Sequence, residues 1–84
     1  MPALKQQFSP EQIAVGRELN AAALAAGAVE SHRMSELPVE TKTEMIVIDK
    51  KRGTIVDRNY QPISAAAWVA DCHARDIVPV VANV

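Results

Sequence analysis

Apolar residues first take on a helical rhythm after Ser9. Val15, Leu19, Ala22, Ala23 and Ala26 recur at helical spacing and predict an α-helix from Pro10 to Ala26 with these residues on one face. The start is well marked. Ser9 is a good N-cap, Pro10 occupies a position whose N–H has no helical partner, and Gln12 completes a capping box. Phe8 and Ile13 flank the cap at staple spacing, and Gly27 stands where a helix terminates in left-handed backbone. Residues 1–8 read as a short leader without the apolar stretch of a secretory signal, and residues 9–84 as one domain.

The rhythm then changes. Ser31–Leu37 has room for a helical turn or two, closed by Pro38, and Val39–Thr43 is a polar connector. Glu44–Ile48 and Thr54–Arg58 are compact β-branched runs, separated by Asp49, Lys50, Lys51, Arg52 and Gly53. Asp at the start of such a turn and Gly at its end predict an antiparallel hairpin. Four apolar residues in a row, Met45–Ile48, predict a central strand covered on both faces. Ser64 begins a second helix, with Ile63 and Trp68 at staple spacing and Trp68, Val69 and Cys72 on its buried stripe. That helix should end near Arg75 or Asp76. Ile77–Ala82 has strand character, and Pro79 assigns it to a sheet edge or an extended tail. The fold class is therefore α+β: two main helices on a small sheet, in the order α, short α or loop, β, β, α, β.

Composition sharpens this picture in one respect. The chain has 84 residues and is 49% apolar, but 14 of the apolar residues are Ala. Ala permits close packing while removing little area from water, so the core is thin and further burial through self-association would stabilise it. The net charge of −1, with both signs mixed along the chain, argues against non-specific attraction to nucleic acid or an anionic membrane. No run is long enough to span a bilayer. Cys72 is the only cysteine, so an internal disulfide is impossible, which fits the reducing cytoplasm.

Chemistry-bearing patterns are sparse. Cys72, His73 and His32 do not make a zinc-ligand spacing, and neighbouring helical residues do not face one another as a Cys–His pair requires. Gly16, Gly27 and Gly53 form no phosphate-binding loop. These residues predict no enzyme, cofactor or metal. The remaining candidates are interaction surfaces. Lys50, Lys51 and Arg52, with Arg58 nearby, form the one basic cluster, and Ile77, Val78, Val80 and Val81 form an apolar terminal strand open to a partner strand. The expectation is a non-enzymatic interaction or regulatory module that binds a protein partner or a second copy of itself.

A second reading comes from the stretch Ser9–Ile13 together with Leu24–Val29 and Arg33–Ser35, which resembles the first helices of a small helix-turn-helix repressor. The resemblance implies DNA binding through Ser31–Leu37, with His32 and Arg33 offered to bases. Glu30 and Glu36 oppose phosphate there, and Pro38 cuts the segment short, so DNA binding ranks second to protein binding.

Overall fold

The structure is a computed structural model that describes residues 8–82; the leader assigned to residues 1–8 lies outside the described part apart from Phe8. The described elements are α1 (Pro10–Ala26), β1 (Val29–Glu30), a 3-10 helix (Ser31–Glu36), β2 (Thr43–Met45), β3 (Ile48–Asp49), β4 (Thr54–Val56), β5 (Pro62–Ile63), α2 (Ala65–Ala74) and β6 (Val78–Val81). This is the α+β class expected, with the strands divided between two small sheets.

Local chemistry accounts for both helices. Ser9 Oγ accepts from Gln12 N, and the Gln12 side chain accepts from Ser9 N, closing a capping box. At the other end Gly27 adopts φ 118°, and Ala28 N donates to Ala23 O, so the last carbonyls of α1 are satisfied. Ser64 Oγ accepts from Ala67 N to start α2. That helix closes in the same manner, with Asp76 at φ 58° and Ile77 N donating to Cys72 O. An antiparallel hairpin forms around the expected Asp49–Gly53 turn, with Ile48–Asp49 as its first strand in place of Glu44–Ile48. Ile48 pairs with Ile55 and Asp49 with Thr54, Asp49 Oδ1 accepts from Lys51 N and Arg52 N, and Gly53 takes φ 66°.

Three details depart from the sequence reading. First, β6 is neither an edge nor a tail. It is the middle strand of a parallel sheet in the order β1-β6-β2, joined by Val29–Glu30, a strand too short to announce itself. Pro79 is tolerated because of strand alternation. Val78 N donates to Lys42 O and Val80 O accepts from Ile46 N, so residues 78 and 80 turn their polar groups towards β2. Pro79 therefore faces β1, one position before the first pair, Val29–Val80, and its missing N–H removes no bond from the ladder. Second, Glu44–Ile48 is not one doubly covered strand. The chain passes from the parallel sheet at Met45 to the antiparallel sheet β3-β4-β5 at Ile48. Ile46 is buried, while Met45 is 46% and Val47 50% exposed.

Third, the buried row of α1 is Gly16, Asn20 and Ala23, with Leu19 and Ala26 beside it; Ala22 is exposed. The row is turned from the expected one because α1 packs against both α2 and β6. Ser31–Glu36 forms the short helical segment expected there, as a six-residue 3-10 helix preceded directly by strand β1. The segment to which the helix-turn-helix resemblance assigns base contacts is thus a 3-10 helix of six residues.

The main core joins Ala23 of α1, Ile46, Ile55, Val81 and the α2 stripe of Trp68, Val69 and Cys72. Among the described residues no helix is long and apolar enough to cross a membrane.

Candidate functional site

The densest polar constellation is built around Glu44 in the middle of β2. Its side chain reaches α2, where Trp68 and Cys72 lie one turn apart on the same face. Oε2 accepts from Trp68 Nε1 at 3.3 Å and from Cys72 Sγ at 3.3 Å. Oε1 accepts from Arg58 Nε at 2.9 Å, with Arg58 Nη2 at 2.8 Å. Burial pushes the carboxyl pKa up, but the hydrogen bonds from Arg58, Cys72 and Trp68 and the guanidinium charge together outweigh it, and the net shift is downward. The Glu44 carboxylate therefore stays ionised.

The same contact decides the chemistry of Cys72. Burial, then the hydrogen bond and negative charge of Glu44, push the thiol up to about 12. A nucleophilic cysteine needs a lowered pKa and a basic partner. Here the neighbour is a carboxylate, His73 is exposed with its ring beside Gly27, and His32 Nε2 stands 3.0 Å from the Glu30 carboxylate. Cys72 thus acts as a buried donor. Native protein at pH 8 should react with Ellman's reagent only as fast as it unfolds, whereas the urea-denatured chain should react at once; a rapid native reaction would contradict this geometry.

A cleft of about 450 Å³ lies over the Glu44 cluster, walled by Asp57, Arg58, Asn59, Asp71 and Arg75. Its charges satisfy one another. Arg58 pairs with Glu44, Arg75 with Asp71 at 3.4 Å, and Asp57 Oδ1 accepts from Asn59 N and Gln61 N to shape the loop. The charged groups Glu44, Arg58, Asp71 and Arg75 of this cleft are thus paired with one another. Among the described residues no three His, Cys, Asp or Glu side chains are grouped to hold a metal ion.

The basic cluster read from the sequence separates into two kinds of cation. Arg52 donates to Asp49 Oδ2 at 2.7 Å and to Tyr60 O at 2.6 Å, bracing the hairpin loop, and its hydrogen bonds hold the Asp49 carboxyl below its usual value. Arg58 is bound into the Glu44 knot. Lys51 is exposed, and Lys50 Nζ lies 3.6 Å from the Phe8 ring centroid. The apolar cluster is core: Val80 and Val81 are fully buried, Ile77 and Val78 half-buried, and both sides of their strand are paired.

Two surfaces were not singled out in the sequence. The first is the outer edge of the parallel sheet. β2 has β6 on one side and no strand on the other among the described residues. Because Lys42 and Ile46 direct their polar groups at β6, the alternating residues Thr43 and Met45 turn theirs outward. Met45 and Val47 are exposed along this stretch, and Val39 is fully exposed in the connector leading into it. The second is a groove between α1 and the strands, lined by Gly16, Arg17, Asn20, Ile46 and Lys50 among others. The sequence signal for it is Gly16, Arg17 and Asn20 within one helical turn, and it is legible only once the buried row of α1 is known.

Compared with protein-family models, curated proteins and solved structures, the chain shows no significant match to any of them.

Proposed function

We propose that this chain is a non-enzymatic interaction module that works by protein–protein binding and pairs with a second copy of itself through the outer edge of β2. The observation that carries this reading is that edge: outward-facing backbone groups at Thr43 and Met45, with the exposed apolar side chains of Met45 and Val47 beside them. Unpaired strand edges add strands readily, and main-chain hydrogen bonds supply affinity while alternate side chains supply the contact area. The Ala-rich composition adds a reason for burial between chains, since one copy alone removes little apolar area from water. A buried, protonated thiol and charge pairs already satisfied within the chain fit a binding role better than a chemical one. A lone free cysteine suits a reducing compartment, and the cytoplasm is the place we assign.

Sedimentation equilibrium tests the proposal. At micromolar concentration the chain should show twice the 9.1 kDa of a single copy. The double substitution Met45→Lys, Val47→Lys places charge on the edge, a device that natural edge strands use against pairing. It should return the protein to one copy while leaving the far-UV circular dichroism unchanged. A wild-type chain that sediments as a single copy throughout the micromolar range would remove the dimer from the account.

A further inference from the structure

The groove beside α1 has the chemistry of a ligand site, and no part of the β2 edge is needed to argue it. It encloses about 380 Å³. Its strand wall is Ile46 and Ala82, the residues that follow β2 and β6, so it opens at the C-terminal ends of two parallel strands. Ligands of open α/β sheets bind at that end. Ile13 and Ile48 extend the apolar lining.

Three polar side chains line the groove, Asn20, Arg17 and Lys50, the last with its Nζ over the Phe8 ring. Asn20 is only 9% exposed, and its buried Oδ1 accepts no hydrogen bond. A buried acceptor left empty carries its full desolvation penalty, so an N–H donor in the groove would be strongly favoured there. Arg17 and Lys50 carry charge on the same wall, and among the described residues neither forms an ion pair, unlike Arg33, Arg52, Arg58 and Arg75. Among the described residues no carboxylate lines the groove. Gly16 faces the same space. A Cβ at Gly16 would meet only Lys50 Cε, at 3.9 Å, so packing within the chain does not demand this helix-weakening residue.

An apolar floor, two cations outside any ion pair among the described residues and one empty acceptor describe a ligand with an aliphatic side chain, a carboxylate and a neighbouring N–H. We infer that the groove binds the free C-terminal end of a polypeptide whose last residue is aliphatic. The terminal carboxylate meets Arg17 and Lys50, the last peptide N–H donates to Asn20 Oδ1, and the terminal side chain lies among Ile13, Ile46 and Ile48. A charge-assisted carboxylate contact supplies orientation, and the available volume holds about two residues.

The test is a nuclear magnetic resonance titration of the ¹⁵N-labelled 84-residue chain with three probes: N-acetyl-Leu-Leu as the free acid, the same dipeptide as its C-terminal amide, and octanoate. The free acid should give saturable shifts at the Gly16, Asn20 and Ile46 amides with a dissociation constant of about 1 mM or below. The amide lacks the carboxylate and octanoate lacks the N–H, so each should bind about tenfold more weakly. Arg17→Ala with Lys50→Ala should weaken the free acid by a similar factor, and Gly16→Leu should fill the groove and abolish the shifts with the helix content unchanged. Equal binding of acid and amide, equal binding of octanoate, or no shift at millimolar free acid would each overturn the inference. The sedimentation mass of the same sample separates this result from the dimer, because the probes do not engage Thr43 or Met45.

Discussion

Replacing Trp68 by Ala is expected to destabilise the chain by about 3–5 kcal/mol, the range for emptying a buried large aromatic site. Trp68 is 3% exposed and is the largest side chain of the main core, which it shares with Ala23, Ile46, Ile55, Val69, Cys72 and Val81. A domain of this length has a total stability of about 4–13 kcal/mol, so Trp68→Ala should lie at or below the limit of folding at 25 °C. Trp68→Phe keeps most of the ring volume and loses the Nε1 bond to Glu44, and about 1–2 kcal/mol is expected. Urea denaturation followed by far-UV circular dichroism measures both. Near-equal losses for Ala and Phe would show that the indole hydrogen bond, not its volume, holds this corner together.

Glu44→Ala should be the second most damaging single change, at about 2–3 kcal/mol. The loss comes less from the ion pair than from what the carboxylate leaves behind. Arg58 is more than half exposed and returns to water at little cost, whereas Trp68 Nε1 and Cys72 Sγ lose their shared acceptor inside the protein. Glu44→Gln retains an acceptor of the same size and should cost about 1 kcal/mol. Acid titration gives an independent check. The pKa of Glu44 is lower in the folded chain than its ordinary value of 4.5, so its contribution is complete above that value and disappears as the pH falls through the folded pKa. Wild-type stability should therefore decline below about pH 4.5 more steeply than that of Glu44→Gln. Parallel acid profiles for the two proteins would exclude Glu44 as the responsible group.

The parts of the fold fixed by near neighbours were legible in the sequence. Ser9 with Gln12, Ser64 with Ala67, Gly27 at its left-handed φ and the Asp49–Gly53 loop all act within a few residues, and each is where the pattern put it. The pairings that depend on distant partners were not legible. Pro79 argues for an edge if it is taken alone, and its tolerance in the middle strand depends on which neighbour each residue of β6 faces. Met45–Ile48 is uniformly apolar, yet a handover between two sheets leaves Met45 and Val47 outside. The Glu44 knot unites residues 24 and 28 positions apart, a separation that no local spacing rule samples. Asn20 was hidden for a related reason: the buried row of α1 is set by two packing neighbours, while periodicity alone favours the most apolar row.

The claim that the chain associates through the open edge of β2 can be read at single residues by amide hydrogen exchange. The Met45 N–H points away from β6 and should exchange rapidly in one isolated copy. Pairing with a second copy through this edge predicts that protection at Thr43 and Met45 rises with protein concentration, while the already paired Ile46 and Val78 amides change little. Rapid exchange of Met45 at every concentration, in a sample whose mass is that of two chains, would place the contact elsewhere and contradict the account.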